Sequence, residues 1–491
     1  MVDQFGADLF EDYAHIFTGG LGRLLAGGRR FADATHDHGI TETSPGHATI
    51  STGTPPAQHG MVSNLWFTQD ERGTWTRAEN VIDPALRMTG AETLAGSSPS
   101  MLQASGLGDW LVEGNPESRV VSVSGKDRAA ILLAGQGVHT VYWFEPQLER
   151  FATSTYYREA DPDWVVGFNE TLAVRLQEDW DWNLEVPDRL LTLARADPAV
   201  FEGDGIHTTF PHRFAAEGDT ASGGIGAWWS STPSLDRETT SLAILALSEL
   251  ELGRGNAVDF LALSLSATDR VGHAYGPDSL EQLDNLLRLD AQIGRLLDAL
   301  DQQVPGRYTL VLTSDHGVSR SPEALQAEGA VARRLTQEDG SRFNERAGED
   351  LRAYGSDPVR LAQALAESAR AESWIARAWP DADLAAAASE DSLAALMLES
   401  LYPGRAAGLL GRLGVQVVLT PHTLLWAWPR GTDHGSPYLY DRRVPLVFYG
   451  AGVAPAVVEG RASTRSIAPT MAWLVGLTTP PGASVAPLVL R

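Results

Sequence analysis

Three Asp–His pairs recur along this chain, each inside a short polar cluster. The stretch SATDRVGHAYG sets Asp269 and His273 four residues apart, which on a turn or helix start puts carboxylate and imidazole on one side. TSDHGV carries Asp315 and His316, GTDHGSP carries Asp433 and His434, and Asp3 stands in the opening MVDQF. A single Asp–His pair is ordinarily a hydrogen-bonded couple with a structural role. Several of them meeting from different strand ends make a metal-binding set, and imidazole beside carboxylate suits Zn2+ better than Mg2+.

A second kind of chemistry is offered by ITETSPGHATISTGTPPAQHGMVSN. The HATIST run reads as helix, so Thr43 or Ser44 falls at its N-terminus, where free N–H groups and the helix dipole favour an anion. A plain Ser/Thr N-cap fits the same pattern. A third signal is Lys126 in VVSVSGKDRAAILLAG, the single lysine among 38 basic residues. It follows a β-branched apolar run and a glycine, with Arg128 two residues on, and strand ends are where α/β proteins place chemistry.

These residues need elements to hold them. Val120–Ser124, 259–266 (DFLALSLS), 308–314 (YTLVLTS) and 444–449 (VPLVFY) read as short buried strands, each running into a polar cluster. Leu280, Leu283, Leu287, Ile293, Leu297 and Leu300 recur at helical spacing after Pro277-Asp278-Ser279. Strand, helix and strand in that order predict a βαβ unit and a parallel sheet. STRSIAPTMAWLVGL predicts a further covering helix. The expected fold is α/β, a largely parallel central sheet flanked by helices, in a single catalytic domain over residues 1–491. Trp/Gly/Pro-rich or Ala/Glu/Arg-rich stretches at about 66–118, 140–245 and 322–410 read as cap-like insertions.

The composition narrows the function. A formal charge of −25 argues against a nucleic-acid-binding surface. The absence of cysteine excludes disulfides, thiolate zinc sites and cysteine nucleophiles. No run of 18 apolar residues marks a membrane span, and no signal peptide is read at the start.

The pattern T-x-P-G-H-A-T-x-x-T-G-x-x-P-x-x-H-G-x-x-x-N resembles the nucleophile region of the alkaline phosphatase superfamily, in the branch shared with nucleotide pyrophosphatase/phosphodiesterases. SATDxxGHxxGP, TSDHG and HGSPYLYDRRVPLVFYG resemble that branch's metal motifs, in the same order. The resemblance covers the chain from Asp3 to the C-terminal helix and implies an alkaline phosphatase-like fold. It makes Thr43 the nucleophile, passing through a phosphothreonine, with two Zn2+ per chain. One zinc would be held by Asp269, His273 and His434, the other by Asp3, Asp315 and His316 with Thr43. A threonine hydroxyl is a poor nucleophile at neutral pH, and metal coordination is a way to activate it.

A monoester dianion presents more negative charge on its non-bridging oxygens than a diester does. Asn64 as a neutral donor, with Lys126 and Arg128 as cations, could meet those oxygens. Within the family this set marks the phosphate-irrepressible alkaline phosphatase type. The expected activity is hydrolysis of small phosphate monoesters to inorganic phosphate, and the alternative is a phosphodiesterase/nucleotide pyrophosphatase. A metal-compromised protein that captures phosphorylated ligands without turnover is the non-enzymatic alternative. A monomer without nucleic acid or membrane span is expected, periplasmic or secreted by resemblance.

His36 and His38 read as loop histidines, and His47 and His59 as structural partners within the nucleophile loop. Trp180, Trp182, Trp228 and Trp229 read as core or insertion packing. One strain stands out. Only Met1 and Val2 precede Asp3, so a ligand there would sit on a short strand prone to fraying.

Overall fold

The computed structural model describes residues 1–70, 72–218, 224–483 and 485–491. Its central sheet contains eight strands: β1 (Arg29–Thr35), β2 (Val120–Ser124), β3 (Thr140–Glu145), β4 (Arg150–Ala152), β5 (Phe260–Ser264), β6 (Thr309–Leu312), β7 (Arg443–Gly450) and β8 (Ala456–Ser463). One half runs in the order β4-β3-β2-β5, the other β6-β7-β1-β8. In the first half, β3, β2 and β5 are parallel and the edge strand β4 is reversed. In the second, β7 is antiparallel to both neighbours, so β6, β1 and β8 point the same way.

The two halves are joined by the first residues of the chain. Val2 forms a parallel bridge with Leu265, and its N–H donates to the Thr313 carbonyl at 3.0 Å. Asp3 N–H donates to Leu265 O at 2.9 Å, and the Met1 ammonium donates to Leu263 O at 2.6 Å. The fraying expected at Asp3 is therefore corrected: its backbone is anchored from both sides. The same insertion modifies the expected βαβ unit. Strands β5 and β6 are not direct neighbours, because residues 1–3 lie between them.

Helices cover both faces: α1 (Thr43–Thr52), α2 (Asp127–Ala134), α3 (Ser234–Glu249), α4 (Ala267–Tyr275), α5 (Leu280–Gln303) and α6 (Ile467–Leu474). Helix α5 starts where the sequence places it, with Ser279 Oγ accepting from the Gln282 N–H. Its Leu283, Leu286 and Leu297 are fully buried and contribute roughly 1.5–3 kcal/mol each. They join one large cluster with Val121, Val123 and Leu242, from β2 and α3. Among the described residues, no helix is long and apolar enough to cross a membrane.

The boundary expected at about residue 140 needs correction, because β3 and β4 belong to the central sheet. The apolar run Val141–Phe144 supplies buried faces to it. Helix α3, also within that stretch, packs on β2 and α5. Trp66–Gln69 pairs antiparallel with Trp75–Ala78 and Ile82–Met88 with Ala91–Ser97, and within 322–410 two helices, Gln337–Tyr354 and Pro358–Arg370, share a separate apolar cluster.

Candidate active site

Strand direction explains why distant motifs meet. Lys126 follows β2, Asp269 follows β5, Asp315 follows β6, Thr43 follows β1 and Asp3 follows the Val2 bridge. All are carboxyl ends of strands that run one way, the edge where open α/β sheets bind ligands. His434 precedes β7 instead, and because β7 is reversed, its start lies at that same edge.

The carboxylates and imidazoles are brought together. Donor atoms of Asp3, Asp315 and His316 lie within 4.8 Å of one another. His273 Nε2 is 3.2 Å and His434 Nε2 3.7 Å from Asp269 Oδ1. His434 is shared by two tight groups, one with Asp269 and His316, the other with His273 and Asp433. The His316 and His434 rings stack with centroids 3.6 Å apart, so the two halves of the cluster adjoin. Asp433 thus enters the cluster, although sequence reasoning noted it only as the neighbour of His434.

The donor set fits divalent cations. Each imidazole commits Nδ1 to a backbone carbonyl: His273 to Thr432 at 2.9 Å, His316 to Gly317 at 3.0 Å and His434 to Thr41 at 2.7 Å. That leaves Nε2 as the lone-pair nitrogen, aimed at the carboxylates. Asp3 Oδ1, Asp315 Oδ2, His316 Nε2 and the Thr43 hydroxyl are all buried without a hydrogen-bond partner. So many uncompensated acceptors in one place call for a cation. Burial, reinforced by His316 and His273, holds His434 well below the usual imidazole pKa, so it stays neutral and able to ligate. Burial pushes Asp3 well above the carboxylate range, and Asp269 and Asp315 add to this.

Thr43 is the first residue of α1, and Glu42 holds the cap position without a side-chain cap bond. The hydroxyls of both Thr43 and Ser44 are buried and unpartnered, so neither is the plain N-cap that the sequence also allowed. Gly46 lets this helix press on Asp315, since a Cβ there would collide with the Asp315 carbonyl. His47 Nδ1 lies 2.9 Å from Thr43 O and 3.1 Å from Asp315 Oδ2, a positioning role within the loop. Asn64 Oδ1 accepts the Ser44 N–H at 2.9 Å, which turns the Asn64 NH2 group outward as a donor.

Lys126 is buried, with Nζ 2.6 Å from Asp3 Oδ2 and 2.5 Å from Asp269 Oδ2. It joins the carboxylates assigned to the two separate metal groups. Arg128 follows on α2, and its Nε is buried without a partner.

Two further residues carried no sequence signal. Gln4 sits at a positive φ of 62°, donates its backbone N–H to Asp315 Oδ1 at 3.1 Å and its side-chain amide to Asp269 Oδ1 at 3.0 Å. Glu42 accepts from the Asn64 N–H at 2.5 Å and the Ser63 hydroxyl at 2.9 Å, fixing the loop that carries Asn64. His36 and His38 lie outside the cluster. Both are buried rather than on an open loop: His36 spans Ser314 O and Thr464 Oγ. His59 bonds Thr49, while Trp182, Trp228 and Trp229 are buried and Trp180 is largely exposed.

A cleft of about 220 Å3 opens beside His434, with Glu42, Asp433, Tyr438 and Tyr440 in its walls. A larger one, of about 360 Å3, lies elsewhere at Arg237, Asp284 and Arg288. Its arginines are already paired with acids, so the chemistry belongs to the first region.

Known proteins are similar over the whole length. The family described as type I phosphodiesterase / nucleotide pyrophosphatase matches residues 1–400. The alkaline phosphatase PhoK of a Sphingomonas species is 31% identical, over 98% of this chain and 88% of its own. The alkaline phosphatase PhoD of Zymomonas mobilis is 32% identical, over 96% of this chain and 84% of its own. The crystal structure of the alkaline phosphatase PafA superposes with a TM-score of 0.90 at 26% identity, covering 100% of this chain and 98% of that one.

Proposed function

The chain belongs to the type I phosphodiesterase/nucleotide pyrophosphatase family, and within it we propose that the residues around Thr43 hydrolyse phosphate monoesters as an alkaline phosphatase does. The observation that carries this reading is the gathering of one neutral donor and two cations, Asn64, Lys126 and Arg128, at the edge that also holds Thr43. A monoester dianion has three non-bridging oxygens over which charge spreads in the transition state. One donor for each suits that charge better than it suits a diester, in which one oxygen carries a second organic group.

In this reading Thr43 Oγ attacks phosphorus and displaces the alcohol, giving a phosphothreonine that water then hydrolyses to inorganic phosphate. At the start of α1 the Ser44 N–H is taken by Asn64 Oδ1, Pro45 has no N–H and the Gly46 N–H bonds Glu42 O. The Thr43 N–H is therefore the backbone donor left to face the anion. Asn64 is held in register by Glu42 and Ser44. Lys126 and Arg128 bind and neutralise the phosphoryl oxygens. Two Zn2+ would be held by Asp269, His273 and His434, and by Asp3, Asp315 and His316 with Thr43. Bound there, zinc supplies Lewis-acid polarisation and positive charge. Substrates are small phosphate monoesters, the working form is a monomer, and the setting is periplasmic or secreted.

Phosphate release from 4-nitrophenyl phosphate tests the reading. Zinc-loaded protein releases phosphate, EDTA-treated protein does not, and added zinc restores the rate. An EDTA-treated protein as active as the loaded one would overturn the metal assignment, and a loaded protein without turnover would overturn the enzyme reading.

A further inference from the structure

Arg270 follows Asp269 directly on α4, yet nothing in the reaction so far uses it. Among the described residues, its one side-chain hydrogen bond runs from Nη1 to Ser230 Oγ at 3.2 Å, and its Nε is buried without an acceptor. Arg128 Nε is in the same condition. Among the described residues, neither guanidinium has a carboxylate at ion-pair distance. Elsewhere in the chain, partly buried arginines such as Arg150, Arg175, Arg237, Arg288 and Arg334 do pair with carboxylates.

Of the three acids whose fields reach Arg270, two are engaged by Lys126. The third, Asp236, keeps its buried Oδ2 without a hydrogen-bond partner but not at ion-pair distance of Arg270. Asp269 is bonded by Lys126 and Gln4, and Asp3 is ion-paired with Lys126. Asp236 Oδ1 accepts the N–H groups of Ser266 and Ala267. Burial pulls the Arg270 guanidinium below its ordinary pKa; Asp269 opposes this and Arg128 adds to it. Two partly buried cations whose fields reach each other are costly to maintain, and what they lack is an anion.

The phosphoryl group is not that anion for both of them. Asn64, Lys126 and Arg128 already supply one donor for each of its three non-bridging oxygens. The field of Arg128 also reaches Glu42, beside Thr43: burial raises that carboxyl, and the bonds from Asn64 and Ser63 and the Arg128 charge work against the rise. Arg270 instead reaches Ser230, just beyond the insertion helix Gly224–Trp229.

We propose that Arg270 is a specificity residue that binds a second anionic group, carboxylate or phosphate, carried on the organic part of the monoester. The proposal rests on the monoesterase reading and adds the class of substrate. A guanidinium suits either group, because its donor fork matches both.

The test compares kcat/KM on zinc-loaded protein for propyl phosphate, 3-(phosphonooxy)propanoate and propane-1,3-diol bisphosphate. The three leaving groups are closely matched primary alcohols, and the last two add a second anion. Wild type is expected to favour at least one doubly anionic ester by about tenfold or more, the worth of a charge-assisted hydrogen bond, and the favoured arm names the group. In Arg270→Met that advantage falls toward one, and Arg270→Lys recovers part of it.

Equal kcat/KM for all three in wild type overturns this proposal and leaves the monoesterase reading standing, and it does so without any variant. An Arg270→Met variant that loses propyl phosphate and the doubly anionic esters by the same factor also overturns it, because the residue then serves the phosphoryl group. No turnover of any ester sinks the monoesterase reading and this proposal together.

Discussion

The Lys126 ammonium stands 2.5 Å from Asp269 Oδ2, although 143 residues separate the two in sequence. With Asp3 at 2.6 Å on its other side, the site is shaped to a compact point charge with three donors. A guanidinium is a wide planar fork and cannot take that place between two carboxylates. Lys126→Arg is therefore expected to lose most monoesterase activity, roughly a hundredfold or more in kcat/KM for an aryl phosphate. Wild-type-like kinetics in that variant would sink the assignment.

Thr43 and Ser44 both present buried, unpartnered hydroxyls at the start of α1, and substituting each in turn separates the nucleophile from its neighbour. Thr43→Ala is expected to lower kcat by about a thousandfold or more, whereas Ser44→Ala retains most of it. Acid quenching during turnover, followed by peptide mapping, should find phosphate on Thr43. Phosphate on Ser44 alone would reverse the roles.

Gln4 touches one carboxylate from each metal group, and Gly272 leaves the room that its side-chain oxygen needs. Such supporting contacts ordinarily contribute ten- to a hundredfold in metal affinity. Gln4→Ala is expected to hold zinc weaker by about that factor in competition with a chelator, with unchanged circular dichroism. Unaltered zinc affinity would leave Gln4 with packing alone.

His212 offers a pH test away from the reaction. It is buried between Glu217 and Glu281, at 3.2 Å from each. Burial opposes its charge, but the two carboxylates outweigh that and raise its pKa to about 9. A pKa raised on folding gives stability that is full below the unfolded value, about 6.5, and is lost as pH rises through about 9. The advantage of wild type over His212→Gln should be of order 3 kcal/mol at pH 6 and shrink across that window in denaturant titrations. A pH-independent difference would contradict the ion pairs.

The strands that lead to Lys126, Asp269 and Asp315 were legible because each is a short apolar run ending in a polar cluster, as in Val120–Ser124 followed by Lys126. Strands β1 and β8 were not. RRFADAT has no apolar run, and AVVEGRAS lies at an edge with mostly exposed side chains. The wedging of Val2 between β5 and β6 depends on two strands more than 40 residues apart, so no local pattern encodes it. The motif residues of the site announced themselves through paired Asp and His. Gln4, Glu42 and Arg270 did not, because a lone polar residue gains its meaning only from what folding sets beside it.

The most direct measurement of the central claim is kcat/KM for 4-nitrophenyl phosphate against bis(4-nitrophenyl) phosphate, on zinc-loaded wild type and on the Lys126→Ala/Arg128→Ala double variant. If these cations face the phosphoryl oxygens, wild type prefers the monoester and the double variant loses most of that preference. A wild-type preference for the diester, or a preference that survives removal of both cations, would contradict the account.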